Sequence, residues 1–212
     1  MRLPIGETRT WEEFERDWYL AQFFNIPVMH EGVDFNLKTG GNSDLGQPLR
    51  AVANGKIVYY HYGTHPGSGF GRHFVLRFET SIGPRWAHYA HCDAADFPRA
   101  VRDVAEGELI GRLGNTGNSS AAHLHFAIWK VDPTFFGGID RVARNTGELA
   151  ALWEDPLSFL RSWMRSPGAP VITDETRIPQ INDWTVRDIR MLLEDYAAKW
   201  AEIREIVNGG EG

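Results

Sequence analysis

The chain has 212 residues, a formal net charge of −6, one cysteine and 12% aromatic residues, with eight Trp. So many aromatics exclude a disordered chain, and the acidic balance argues against a nucleic-acid binder or a partner of anionic membranes, both of which carry a basic face. A lone Cys92 excludes a disulfide scaffold, and the length allows one ordinary domain with a modest appendage, since ~150 residues can bury ~70% of their unfolded surface unaided.

The opening residues lack the apolar core of ~7–15 residues that a signal peptide needs. No stretch approaches the ~18 apolar residues of a membrane span. Thr10 to Gln22 is predicted as a short helix, with Thr10 and Glu13 as a capping-box pair and Trp11, Phe14 and Trp18 on one stripe. Residues 1–24 therefore read as a helical lead. From about Asn25 the pattern changes to short apolar runs cut by glycine. LRAVANGKIVYY (49–60), HFVLRFE (73–79), PRWAHYAH (84–91), GELIGRLG (107–114) and HLHFAIW (123–129) each suit strand length. With Gly and Asn between many of them and no long helix interrupting, they predict a mainly β fold built on an antiparallel sheet, over residues 25–165. Asp155 and Pro156 open a short helix, LSFLRSWM. Residues 166–212 then read as a Pro-rich arm followed by an amphipathic helix from Trp184 to about Val207.

Eight histidines are present, and four fall in patterns with chemical meaning: His30-Glu-Gly-Val-Asp34, Tyr89-Ala-His91 and His123-Leu-His125. Residues i and i+2 of a strand share a face, so His123 and His125 look into one site. A hydrolytic zinc site takes three protein ligands and leaves a fourth position for water. His30, Asp34 and one histidine of the 123/125 pair meet that count, leaving the other histidines to orient the water and stabilise an oxyanion. Each short motif alone arises easily by chance.

Their order and surroundings carry more weight. A segment Pro48-Leu-Arg-Ala51 to Gly55-Lys-Ile-Val58 follows the His/Asp element, then a glycine hairpin, Gly69-Phe-Gly71, then Tyr89-Ala-His91. A Gly-rich run from Val104 through Gly107, Ile110, Gly111, Gly114, Thr116, Gly117 and Ser119 leads into His123-Leu-His-Phe126, and Asp155 to Leu160 closes the set. Over about residues 27–160 the sequence resembles peptidase family M23, the lysostaphin/LytM-type peptidases. The resemblance implies an antiparallel β catalytic domain that cuts peptidoglycan, here with flanking N- and C-terminal helices. It further implies that His30, Asp34 and His125 bind Zn2+, and that His91 and His123 are the catalytic histidines beside the metal.

Some positions depart from the family pattern. Tyr-x-His is commonly followed by Leu and Ser, but here by Cys92 and Asp93; Ala122 stands where Pro is frequent; and residues 134–150 form a longer insertion. His88 competes with His91, and the two are expected to face opposite sides of a strand; the Tyr-x-His register and the spacing to Gly107 favour His91. His61, His65 and His73 are expected at the surface or rim, and Cys92 as a small buried or rim residue. From Gly168 on, nine acidic residues stand against five basic ones, so the last helix is expected to pack structurally rather than disrupt a wall or membrane.

The expected function is a zinc metalloendopeptidase acting on peptide bonds of peptidoglycan stems or cross-bridges, with no nucleic-acid partner and a monomeric state favoured. It would act on the cell wall, in periplasmic or extracellular space, and the leader-free opening leans toward a phage endolysin. The alternative is a catalytically silent relative that binds wall or regulates another hydrolase, which usually lacks a zinc ligand.

Overall fold

Residues 1–25, 29–63, 69–133 and 139–164 are described by a computed structural model. They fall within one compact unit, Met1–Ala169. The second unit, Pro170–Gly212, and with it the arm and final helix expected from the sequence, lies outside the described residues.

The chain begins with helix α1, Trp11–Asp17, held by the expected capping box: Glu13 N–H donates to Thr10 Oγ1 (3.2 Å) and Thr10 N–H to Glu13 Oε2 (3.2 Å). The helix is shorter than the sequence pattern predicted. At Trp18 the backbone turns extended, and Trp18–Gln22 becomes strand β1, antiparallel to β2, Gly32–Leu37. Pairing with a distant strand overrides the local helical stripe, which tertiary context commonly does. Trp18 and Phe14 are still buried on one side, Phe14 edge-on to Phe35 at 5.7 Å. Leu3 and Ile5 are fully buried in the same core, so the lead is integral to the sheet.

The remaining strands are β3, Pro48–Arg50; β4, Gly55–His61; β5, His73–Phe78; β6, Arg85–Ala90; β7, Arg102–Val104; β8, Leu109–Arg112; β9, Leu124–Trp129; and β10, Trp153–Glu154. Helices α2, Thr146–Leu152, and α3, Pro156–Trp163, complete the described elements. The main sheet runs β1-β2-β9-β6-β5-β4-β7, with β10 extending beside β9, and β3 pairs with β8 separately. Every described pairing is antiparallel. The predicted 49–60 run divides into β3 and β4 around residues 51–54.

Strand alternation separates two faces. Phe35, Phe126, Tyr89 and Phe74 point to one side, into a large apolar core that α3 closes with Phe159 and Leu160. Asp155 caps α3 by accepting from Leu157 N–H (3.0 Å), and Pro156 occupies its first turn, as the sequence indicated. The opposite side carries Asp34, His125 and His88. Part of it is covered by a second apolar cluster in which Ile139, Ala143, Leu149, Leu152 and Trp153 pack on Val75, Trp86, Ala127 and Trp129. Much of that cover comes from the described end of the 134–150 insertion.

Candidate active site

Asp34 on β2 lies directly opposite His125 on β9. His30, just before β2, reaches the same point because Asn25 adopts a left-handed turn (φ 62°) and its N–H donates to the His30 carbonyl (2.8 Å). The His30 Nδ1–H donates to the Phe23 carbonyl (3.1 Å), because a carbonyl can only accept; the Nε2 lone pair is thereby left facing inward. His30 Nε2, Asp34 Oδ1 and His125 Nδ1 converge with separations of 3.0, 3.1 and 3.4 Å. Bonds of about 2.0–2.2 Å to a tetrahedral ion set its donor atoms roughly 3.3–3.6 Å apart; this trio is slightly tighter, and its two imidazoles and one carboxylate are a donor set for one divalent cation. All three residues are at least partly buried. Burial alone would raise the Asp34 pKa, yet the His125 and His30 imidazoles beside it hold it well below the usual carboxylate range.

Gly32 is required by this convergence. A Cβ there would lie 2.6 Å from the Phe126 carbonyl and 2.8 Å from the His125 ring. Only a residue without a side chain lets β9 bring His125 so close to β2.

His91 follows the last residue of β6 and has φ 59°, rare for a residue with a Cβ. That turn breaks strand alternation. The expectation that His88 and His91 face opposite sides therefore fails: their rings lie 6.3 and 6.1 Å from the His125 ring. His91 is also 4.6 Å from the His123 ring. Its Nδ1–H donates to the Thr116 carbonyl (2.8 Å), leaving Nε2 as the ring's free acceptor. Burial lowers the His91 pKa to about 3, with the neighbouring His123 and His125 acting in the same direction. His91 is therefore neutral at physiological pH. His123 is held through Nδ1 by the Ala121 carbonyl (2.9 Å), and its Nε2 lies 3.8 Å from Asp34 Oδ2.

The five histidine and aspartate residues singled out by the sequence thus meet at one place. Residues that the sequence placed in the motif run without a site role hold them there. Thr116 Oγ1 donates to the Cys92 carbonyl (3.0 Å) and accepts from Arg72 N–H (2.9 Å), fixing the carbonyl that orients His91. Its position in the Gly-x-Thr-Gly run was the available signal. Gly71 and Gly117 let their loops cross in backbone contact beside it: a Cβ on Gly71 would meet Thr116 at 2.4 Å, and one on Gly117 would meet Gly71 N at 2.3 Å. The Tyr89 hydroxyl points into the apolar face, donating to the Arg50 carbonyl (3.0 Å) and accepting from Val52 N–H (3.2 Å). The tyrosine of the Tyr-x-His motif is a structural tie.

Of the histidines expected at the surface, His61 is exposed and His65 lies outside the described residues. His73 is instead fully buried and hydrogen-bonded through Nδ1 to His88 Nε2 (2.7 Å). Cys92 is buried, and burial pushes its thiol pKa up, away from the thiolate a metal ligand requires.

Comparison with known proteins gives the site a family. The model for peptidase family M23 matches residues 28–136, just over half of the chain. Lysostaphin from Staphylococcus simulans is 30% identical over 135 residues, 63% of this chain and 22% of that protein. The glycyl-glycine endopeptidase ALE-1 from Staphylococcus capitis is 31% identical over 133 residues, 63% and 29% of the two chains. The DD-carboxypeptidase/endopeptidase Mpg of Neisseria meningitidis is 30% identical over 98 residues, 46% and 19%. The chain thus spans between a fifth and three tenths of the length of these relatives. Among solved structures, the lysostaphin catalytic domain from Staphylococcus simulans is 28% identical with a TM-score of 0.42, covering 63% of this chain and 80% of that one. The matched residues take in every side chain of the converging cluster, and the chain belongs to peptidase family M23.

Proposed function

We propose that this chain is a zinc metalloendopeptidase that hydrolyses peptide bonds in bacterial peptidoglycan, with His30, Asp34 and His125 as metal ligands and His91 and His123 as catalytic residues. The observation that carries the reading is the convergence of His30 Nε2, Asp34 Oδ1 and His125 Nδ1 to within 3.4 Å of one another, with two further histidines alongside. A zinc ion held by this trio supplies Lewis-acid polarisation and brings a water pKa to about 7.

The protein's own groups do the rest. Asp34 stays ionised and keeps one negative charge among the ligands. His91, neutral and tethered at Nδ1, offers Nε2 as the atom that accepts a proton from the attacking water and returns it to the leaving amine. His123, tethered through Nδ1 to Ala121, presents its Nε2 end on the Asp34 side; as an imidazolium, with a hydrogen on each nitrogen, it would donate to the developing oxyanion. Phe70, 5.2 Å from the His125 ring, excludes bulk water from one side of the cluster.

The substrate class rests on the relatives' names: a glycyl-glycine endopeptidase and a DD-carboxypeptidase/endopeptidase. Both cross-bridges and stem peptides thereby come into view. A cell-wall site of action follows from that substrate, and release as a phage endolysin is the proposed route. No described helix is long and apolar enough to cross a membrane. We further propose residues 25–165 as the catalytic domain, with the lead of residues 1–24 built into its sheet and core.

The test is purified peptidoglycan digestion with fragments identified by mass spectrometry. Chelation should abolish cleavage and zinc should restore it. Failure of the zinc-loaded protein to release any fragment from cross-linked peptidoglycan would sink the reading. His125→Ala separates it from a silent wall-binding relative, whose biological effect would survive the substitution.

A further inference from the structure

Three histidines outside the proposed catalytic cluster run across the same face of the sheet. His88 on β6, His73 on β5 and His61 on β4 occupy neighbouring strands, and His61 and His73 are direct cross-strand partners. The His88 and His73 rings are 4.9 Å apart, and those of His73 and His61 are 5.3 Å apart. The 139–154 segment that covers this face brings Asp140 to the same place, its Oδ1 3.6 Å from His73 Nε2.

His73 is the informative member. It is fully buried, and its Nε2 has no hydrogen-bond partner, whereas its Nδ1 is 2.7 Å from His88 Nε2. A buried imidazole nitrogen left unpaired is costly, and most such atoms in folded proteins are satisfied. At 3.6 Å the Asp140 carboxylate is too far for a hydrogen bond. The distance does match the roughly 3.3–3.6 Å edge of a tetrahedral site. If His73 Nδ1 carries the hydrogen and donates it to His88, Nε2 presents a lone pair toward the carboxylate, and the two acceptors lack only a cation between them. A ligating histidine characteristically gives its other N–H to a second residue that fixes its tautomer, and His88 supplies that support. Burial holds the His73 pKa at about 3, so its ring is unprotonated at neutral pH. A rotamer change at exposed His61, whose ring lies edge-on to that of His73 at 5.3 Å, would complete an imidazole–imidazole–carboxylate set.

We propose a second divalent metal site, for zinc or a similar first-row ion, formed by His73 Nε2, Asp140 and His61, with His88 as the residue that orients His73. It is separate from the catalytic trio and stands whether or not that trio is catalytic. Its role is to fasten the covering 139–154 segment to the sheet.

The experiment is zinc titration of the full-length, untagged, chelator-stripped protein by calorimetry, with thermal unfolding followed in parallel. The wild-type chain should take up two equivalents, the second raising the melting temperature. His125→Ala should retain one equivalent, as should Asp140→Asn, and the double variant should bind none tightly. His61→Ala should weaken the second equivalent at least tenfold. Asp140 is 71% exposed, so its replacement leaves the fold intact and the result readable even where His73→Gln fails to fold. A wild-type stoichiometry of one that His125→Ala eliminates overturns the proposal, as does full retention of two equivalents by Asp140→Asn.

Discussion

Strands β2, β9, β6 and β5 present two faces that are both largely buried yet chemically opposed. On one, Phe35, Phe126, Tyr89 and Phe74 pack as an aromatic layer, with Tyr89 stacked on Phe74 at 4.8 Å and edge-on to Phe126 at 5.1 Å. On the other, one residue along each chain, Asp34, His125, His88 and His73 stand out of water beside His30, His123, His61, Asp140 and Phe70, with an apolar cluster covering another part of that face. The apolar face gains free energy by burial; the polar face loses solvation and recovers it only through pairing. Stability and chemistry are thus assigned to alternate residues of the same strands.

Neighbours in sequence should accordingly fail in different ways. His125→Ala is expected to lower peptidoglycan cleavage by at least ~1,000-fold in a turnover assay while the thermal midpoint of the metal-free protein moves little. Phe126→Ala, one residue on, should instead destabilise the fold by about 3–5 kcal/mol in denaturant melts. If both variants lose activity and stability together, the division between faces is wrong.

Gly32 sits where the faces trade constraints. Gly32→Ala places a methyl group against the Phe126 carbonyl and the His125 ring. It should cost about 1–3 kcal/mol in stability and weaken metal affinity in the same variant. A Gly32→Ala protein with unchanged metal affinity would show that the close approach does not position His125.

Mild acid should test the buried histidines of the polar face. Unfolded histidine titrates near 6.5, whereas burial sets His73 and His91 at about 3 and His88 well below 6.5. Between those values the unfolded chain binds protons that the folded chain refuses. The stability these three rings contribute is therefore complete above about pH 6.5 and falls progressively as the pH drops toward 3, while His30, where burial is outweighed by Asp34 and the pKa is raised, acts in the opposite sense. Melting temperatures of chelator-treated protein across that range check this; a flat profile would contradict buried neutral rings. The smallest effect belongs to Tyr89→Phe. It removes one hydroxyl shared by Arg50 and Val52, about 1 kcal/mol, and should leave turnover intact.

The pattern of alternation explains what could be read from residues alone. His123-Leu-His125 and the apolar residues between them announce a strand with two unlike faces, and the Gly-rich run marks where loops must cross. Strand β1 was hidden because Trp11, Phe14 and Trp18 are spaced as a helix needs, and only pairing with Leu37 to Asp34 makes the second half extended. The burial of His73 was hidden because its cover comes from residues 139–154, some seventy positions away. The proximity of His88 to His125 depended on register between β6 and β9, and that of His91 on one positive φ, neither of which has a local signature.

The interlocked loops at Gly71 and Gly117 set a rule for redesign. Asn118 N–H donates to the Gly69 carbonyl (2.8 Å), Thr116 grips both Arg72 and Cys92, and neither glycine leaves room for a Cβ. The two loops behave as one part. A chimera that imports the 69–72 hairpin from another peptidase without its 114–118 partner would carry mismatched halves and release the carbonyl that aims His91. Exchanged as a matched pair, they become a transplantable cassette.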